Sequence, residues 1–232
     1  GSLHPATRYN IDRDYGALGH SRRADIIMID DELNVHNTWL GGELVVEDKK
    51  ITSLLDDQLS NKRFKYPSKA YNTVHLPKNI QMIPQIPKKD KFKINVIRAQ
   101  LPGIVTFQEQ IHINENIRDW SQVMQSNKLC HLCVIERHNK SGDYAHGFLK
   151  DFNLTRGAVA SSVGHDAHNI IVAGLNAEDM KFAVERIKET QGGIVIINNK
   201  KLIAEVKLPI AGLLSDKMGS EVAIENKIFK KS

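Results

Sequence analysis

The sequence predicts an α+β protein, in which a remnant of a small β domain is followed by a layered, mainly antiparallel sheet with flanking helices. Residues 92–99 and 104–113 alternate between apolar and polar side chains, a pattern typical of neighbouring antiparallel strands. Between positions 180 and 187, apolar residues instead recur at steps of three and four, the period of an amphipathic helix. Strand-rich and helical stretches in one chain indicate separate layers of sheet and helix.

Three segments organise the chain. Residues 1–60 begin with a short helical stretch at 4–10 and continue with β-rich runs, which we interpret as a small β-domain segment. Residues 61–90 are rich in proline and lysine, and we interpret them as a surface linker with one helical turn near 68–72, because proline excludes a long helix or a central strand. Residues 91–232 are predicted to form the main α+β domain.

Several elements of the main domain follow from local signals. Asn176 can cap a helix whose first turn carries acidic residues and which ends near Gly192. The strand predicted at 128–136 and the strands at 157–163 and 170–174 are each followed or preceded by polar loops. The remaining predictions are a turn at 101–103, a helix at 119–125, a short helix at 146–150, a hairpin at 194–197 and 201–208, and a last helix that starts at 209–216 and has a charged end at 221–231.

Composition limits the class of protein. With 232 residues, 41% hydrophobic and 25% charged, the chain has the composition of a globular protein, and it contains no apolar run long enough to span a bilayer. We therefore expect a cytoplasmic protein without a membrane partner. The net charge is +5, but the lysines are scattered and aromatic residues make up only 6%, so a nucleic-acid partner is not expected.

The two cysteines, Cys130 and Cys133, are too few for a disulfide framework and fit a reducing compartment. They lie three positions apart in a predicted strand, so their side chains should point to opposite faces of the sheet. This geometry argues against a shared metal ion or a redox pair.

Two polar loops are candidate sites. The first is the cluster at 165–169, in which His165, Asp166 and His168 are residue types that can bind a metal, with Asn169 beside them. The second contains Arg137, which could pair with a carboxylate, and His138, which could titrate near neutral pH. The alternative for each loop is a structural turn, since Asp, Asn and Gly favour turns.

A family resemblance emerges at two places. The stretch from Leu3 to about Lys50, with Gly-x-Leu-Gly-x-x-Arg-x-Ala-Asp-Ile-Ile followed by Gly-Glu-Leu-Val, resembles the segment by which amidohydrolase-superfamily enzymes leave their catalytic barrel and enter a small β domain. The run from Arg156 to Ile170, the Asn-Ala-Glu-Asp-Met at 176–180, Gly192-Gly193 and the stretch 208–216 resemble the C-terminal domain of adenine deaminases. The Arg137-His138 loop fits the same family in the same order.

The resemblance implies an activity and a cofactor. Adenine deaminases hydrolyse adenine to hypoxanthine and ammonia with a divalent metal (Mn, Fe or Zn) held in a barrel, where the metal lowers the pKa of bound water. The barrel would precede Leu3, so the chain is expected to be a C-terminal portion that is inactive alone, with no certain cofactor of its own. Its implied small-molecule partner in the intact enzyme is a purine.

Two interpretations of the cluster stay open at this point. In the first, Arg137, His138 and the 165–169 loop form part of the purine pocket in the intact enzyme, with metal binding at His165, Asp166 and His168 as a further option. In the second, the domain is a non-catalytic module for folding, dimerisation or small-ligand binding. Exposed strand edges predict a homo-oligomer in either case.

Overall fold

A computed structural model describes residues 2–61, 65–100, 105–114 and 116–230. The chain divides into two compact units, one up to residue 65 and one from Tyr66 onward. Both units combine sheet and helix, which confirms the predicted α+β class. None of the helices in the described ranges is both long and apolar enough to cross a bilayer.

The described residues of the first unit form a four-stranded antiparallel sheet and two helices. Its strands lie in the order β1-β2-β3-β4. The predicted β-domain segment is thus confirmed as a sheet, although β4 and α2 were not predicted. The elements are α1 (Leu3–Arg8), β1 (Ile26–Ile29), β2 (Val35–Leu40), β3 (Glu43–Glu47), β4 (Lys50–Ile51) and α2 (Ser53–Asn61).

The second unit is built on an eight-stranded sheet in the order β12-β11-β9-β10-β7-β8-β5-β6. Neighbouring strands are antiparallel except for β5 and β8, which pair in parallel through Ile97 and Arg98. The mainly antiparallel sheet is therefore confirmed. Its strands are β5 (Phe92–Ala99), β6 (Thr106–Ile113), β7 (Leu129–Ile135), β8 (Tyr144–Lys150), β9 (Ala158–Ser161), β10 (Ile170–Gly174), β11 (Gly193–Asn198) and β12 (Lys201–Lys207).

In the described part of this unit the sheet is accompanied by the α-helices α3 (Ser121–Asn127), α4 (Ala177–Glu189) and α5 (Gly219–Phe229). The predicted cap of α4 is confirmed, since the Asn176 side chain accepts the main-chain N–H of Asp179 at 2.8 Å. Helix α4 packs on β9, β10 and β11. Its apolar stripe is completely buried there, at Met180, Ala183, Val184 and Ile187. Burial of each large apolar side chain contributes roughly 1.5–3 kcal/mol, so this stripe fixes the helix to the sheet.

Two predicted helices are wrong. Residues 146–150 belong to strand β8, which pairs with β7 along its whole length and so obtains its main-chain hydrogen bonds from the sheet. Residues 209–216 form a turn closed by a bridge between Ile210 and Leu214, and α5 begins only at Gly219. A helix cannot run through this turn because Ala211 and Gly212 have φ values of 55° and 72°. The turn predicted at 101–103 lies outside the described residues.

The proline-rich stretch differs from a surface linker. From Tyr66 onward it belongs to the second unit. The helical turn predicted at 68–72 is confirmed as a short 3-10 helix at Ser68–Tyr71. Val74 and Met82 are buried in the same core cluster as the α4 stripe. Gln191 fixes this stretch, since its side-chain oxygen accepts the main-chain N–H groups of Thr73 and Val74 at 3.0 and 3.1 Å. The stretch therefore covers part of the core.

The two cysteines lie on opposite faces of β7, as predicted. Cys133 belongs to the core cluster beneath α4, whereas Cys130 belongs to a separate cluster with Leu132 and Ala173. Burial raises the pKa of each thiol to about 11, so both stay protonated at neutral pH. Each therefore serves as a small apolar core residue.

Candidate functional site

The two polar loops singled out in the sequence lie side by side at one end of the eight-stranded sheet. Strand β7 ends at Ile135, β10 begins at Ile170, and these two residues are paired in the antiparallel register. The loop after β7 and the loop before β10 therefore leave the sheet at the same point. This places Arg137 and His138 next to the 165–169 loop.

Arg137 holds this end of the sheet together. Its side chain is only 1% exposed. Nε donates to the carbonyl oxygen of His168 at 2.6 Å, and Nη1 and Nη2 donate to the carbonyl oxygens of Thr73 and Ala211, each at 3.0 Å. One guanidinium thus joins three chain segments, which we call the Arg137 clasp.

The partners of Arg137 differ from the carboxylate considered in the sequence. Its described hydrogen bonds go to carbonyl oxygens and, at 3.5 Å, to the Thr73 hydroxyl. Burial lowers the pKa of Arg137, and the neighbouring Glu136 carboxylate partly offsets this effect. A guanidinium keeps its charge under such conditions. Its five donors suit convergent carbonyl groups, and this geometry makes Arg137 a structural residue.

His138 connects the same two loops. Its Nε2 lies 2.8 Å from the carbonyl oxygen of Ala167, and since a carbonyl only accepts, Nε2 must carry the proton. Glu136 shapes the loop, because its carboxylate accepts the main-chain N–H groups of His138, Lys140 and Gly142. Partial burial works toward a higher pKa, but these hydrogen bonds outweigh it and lower the pKa of Glu136.

His165 and Asp166 lie at the tip of the neighbouring loop and are almost completely exposed, at 95% and 87% of their side chains. His165 Nδ1 and Asp166 Oδ1 are 3.1 Å apart. Asp166 has a φ of 63°, a left-handed conformation that Asp tolerates in tight turns. An exposed pair of this kind contributes little to folding, so its side chains are free to meet another molecule.

His168 and Asn169 return the chain to β10, and both are half-buried. His168 has a φ of 48°, a strained conformation for a non-glycine residue, and its carbonyl oxygen is held by Arg137. Its Nδ1 is buried without a hydrogen-bond partner. A buried polar atom of this kind costs about 1–3 kcal/mol unless a partner satisfies it.

These residues do not fit a resident metal ion. Metal sites in proteins usually have three or four converging ligands. Within the described ranges, no group of three or more His, Cys, Asp or Glu side chains is arranged to hold a metal. His165 and Asp166 approach each other, but His168 enters the site chiefly through its carbonyl oxygen.

A buried serine was missed in the sequence. Ser162 is fully buried just after β9, and its hydroxyl donates to the carbonyl oxygen of Gly212 at 2.6 Å while it accepts the N–H of Gly193 at 2.8 Å. It therefore fixes the 209–214 turn against β11. Sequence signals for this role are weak, because its main-chain partners can belong to any residue type.

The candidate site thus has two parts. Arg137, His138 and Ser162 are occupied by contacts with the protein main chain, and they hold the loops in place. The side chains of His165 and Asp166 are exposed and contact each other, so they contribute little to holding the loops in place. Exposed imidazole and carboxylate groups can donate and accept hydrogen bonds, so this edge can bind a polar molecule.

Comparison with known proteins assigns a family to this arrangement. Residues 104–231 match the model of the adenine deaminase C-terminal domain, a range that contains both polar loops. The chain is 52% identical to the adenine deaminase of Chelativorans sp. (strain BNC1), over 99% of the chain and 38% of that protein. It is 34% identical to the adenine deaminase of Thermosipho africanus, over the whole chain and 39% of that protein. The chain thus spans less than two fifths of the length of these relatives.

Proposed function

The chain belongs to the adenine deaminase family, and from that premise we propose that it forms the C-terminal part of an enzyme that hydrolyses adenine to hypoxanthine and ammonia. Its relatives carry the name of this activity and are more than twice as long as the chain. Catalysis would therefore require residues that this chain does not supply, and the 232-residue chain alone would be inactive.

A role in the reaction is supported by the exposed His165–Asp166 pair, which lies on loops that are fixed by hydrogen bonds. Arg137 and His138 fix the two loops, and among the contacts of the described residues the His165 and Asp166 side chains bond only to each other. The main chain of this polar edge is fixed before a ligand arrives, so ordering of the two loops would cost little conformational entropy on binding. We assign this edge to one wall of the purine pocket.

Within this wall the residues have different roles. His165 would hydrogen-bond a purine nitrogen, and Asp166 would orient the His165 imidazole through the observed 3.1 Å contact. His168 and Asn169, which are half-buried, would line the pocket through the exposed parts of their side chains. Arg137 and His138 are positioning residues that act through the main chain.

The divalent metal of this family is assigned to residues outside the chain. The absence of a suitable ligand group in the described ranges supports that assignment. When bound, such a metal supplies an activated water for attack on the purine ring. The residues of this chain would orient the ring and exclude water from one side.

A chimaera tests the proposal. The part of the Chelativorans adenine deaminase that aligns with this chain is replaced by the chain, and ammonia release from adenine is measured with Mn²⁺, Fe²⁺ or Zn²⁺. We expect activity in the chimaera and none in the 232-residue chain. A folded, metal-loaded chimaera without activity would contradict the proposal, as would deamination by the chain alone.

The role of the wall is tested in the same chimaera. His165→Ala and Asp166→Ala should raise the KM for adenine or lower kcat about tenfold, the effect of losing a hydrogen bond of about 1.4 kcal/mol. Both variants should unfold at the parent temperature, because both side chains are exposed. His112→Ala, at an exposed position on β6, is the matched control. Unchanged turnover and adenine affinity in both variants would reject the purine wall.

A second candidate function is a module for folding and assembly. It is favoured by the edge strands, because β12 and β6 end the sheet and carry exposed apolar side chains such as Ile203 and Phe107. Unpaired strand edges promote association. We accordingly propose that the chain forms homo-oligomers. Light scattering at high concentration checks this, and a strictly monomeric chain would contradict it.

A further inference from the structure

A cavity of about 440 Å³ lies at the opposite end of β7 from the Arg137 clasp. Leu129 and Cys130, the first two residues of β7, form its floor. The volume falls within the range of small-molecule sites. The cavity is thus separate from the proposed purine wall.

The walls of the cavity are mostly apolar. Met124 of α3, Leu149 of β8, and Leu154 and Leu175 from the loops beyond β8 and β10 line it, together with the Phe152 ring. Such walls favour a hydrocarbon or aromatic body, because its transfer from water into an apolar site is favourable.

The rim of the cavity is polar, and its charge is the positive charge of Lys128. Lys128, Asn153 and Thr155 are exposed residues at the cavity. Among the described residues that line it, Lys128 is the only one with a formal charge, and no carboxylate is available there to neutralise it. An occupant with one negative charge would complement this rim.

The position of Lys128 is fixed by its main chain. It ends α3 in a left-handed conformation with a φ of 54°, and its carbonyl oxygen accepts the N–H of Asp151 at 3.3 Å. The main chain of Lys128 is therefore fixed at the mouth of an apolar cavity, within reach of its ammonium group. The apolar walls and the positive charge at the rim together favour one class of ligand.

We propose that this cavity binds a small monocarboxylate with an apolar body. The body lies between Leu149, Leu154 and Leu175, and the carboxylate lies at the rim beside the Lys128 ammonium group. Such a site goes beyond the deaminase function, since it lies at the other end of the sheet.

Calorimetric titration of the 232-residue chain with octanoate and with the uncharged octan-1-ol tests the site. We expect one octanoate per chain and about fivefold weaker binding of octanol, the effect of one partly exposed ion pair. Lys128→Gln should weaken octanoate binding about fivefold and leave octanol binding unchanged. Lys181→Gln, on the exposed surface of α4, is the matched control and should change neither.

Blocking variants locate the bound molecule. Leu154→Trp fills the cavity and should abolish binding of both compounds. Thr155→Trp should close its mouth from an exposed position. Absence of octanoate binding would overturn the proposal. Equal affinity for octanol and octanoate, or octanoate binding that survives both blocking variants, would overturn it as well.

Discussion

The Nε atom of Arg137 donates a hydrogen bond of 2.6 Å to the carbonyl oxygen of His168, and this bond ties the two candidate loops to each other. It shows that the conspicuous polar residues of the sequence are not equivalent. Arg137 and His138 hold the main chain of the site in place, whereas His165 and Asp166 are exposed at its surface.

Replacing Arg137 with Met should lower the free energy of unfolding of the second unit by about 3 kcal/mol, because the carbonyl oxygens of Thr73, His168 and Ala211 lose their donor. Urea unfolding followed by Trp120 fluorescence, in a background with Trp39→Phe, measures this change. Arg156→Met, at an exposed position, is the control and should stay within about 0.5 kcal/mol of the parent. Equal stabilities of the two variants would refute the clasp.

Gly212→Ala should destabilise the second unit by about 2 kcal/mol. A Cβ at this position would lie 2.8 Å from the Arg137 guanidinium, and the φ of 72° is strained for alanine. The control is Gly219→Ala, where a Cβ meets nothing within 4 Å. That variant should be neutral or up to about 1 kcal/mol more stable. The same unfolding measurement compares them, and similar losses in both would argue against the close approach of Gly212 to Arg137.

Acidification should destabilise the second unit through His131. Burial and the nearby His146 lower the pKa of His131 from 6.5 to about 4. Between these values the unfolded chain binds a proton that the folded chain does not, so stability falls as pH drops from 6.5 to 4. We expect a loss of about 2–3 kcal/mol over that interval.

His131→Leu should flatten this part of the pH profile, because the Leu side chain does not titrate and removes a buried Nδ1 that has no hydrogen-bond partner. His112→Gln, at an exposed position of β6, should leave the profile as in the parent. The profile is obtained from urea midpoints between pH 4 and 8. A parent-like slope in His131→Leu would exclude His131 as its source.

Asp179 should contribute stability at neutral pH that disappears in acid. Burial alone would raise the pKa of Asp179, but hydrogen bonds from the Asn176 side chain and from the main chain at 199 and 200 outweigh it and lower the pKa below its ordinary value of 3.8. The folded state thus favours the carboxylate, and its contribution is present above pH 3.8 and lost as the pH falls through the lowered value.

Asp179→Asn should therefore cost about 1–3 kcal/mol at pH 7, because an amide accepts fewer of these hydrogen bonds. The difference from the parent should narrow as the pH falls below 3.8. Glu178→Gln removes an exposed contact with Lys200 and should have little effect at any pH. A constant difference between Asp179→Asn and the parent across the acid range would contradict the ionised Asp179.

Much of the second unit could be predicted because its signals are local. The Asn176 cap, the period of α4 and the alternation of β5 and β6 each fix an element without reference to its neighbours. Strand β8 was mistaken for a helix because its state depends on pairing with β7 on one side and β5 on the other. No local pattern carries that information.

The site was predictable only in part for the same reason. His165, Asp166 and Arg137 stand out as residue types, and they do lie in adjoining loops. Their roles were hidden, because the partners of Arg137 are carbonyl oxygens that every residue possesses. The turn at 209–214 was not predicted, because the apolar residues there resemble the start of a helix and nothing in the sequence indicates the positive φ of Ala211.

The Arg137 clasp also bears on the order of folding. The segments that it joins are separated from Arg137 by 31, 64 and 74 positions along the chain. Contacts over such distances are made only after the intervening loops have closed, at a cost in chain entropy. We therefore expect the clasp to form late in folding, and the loops that present His165 and Asp166 to be set in place only once the sheet has formed.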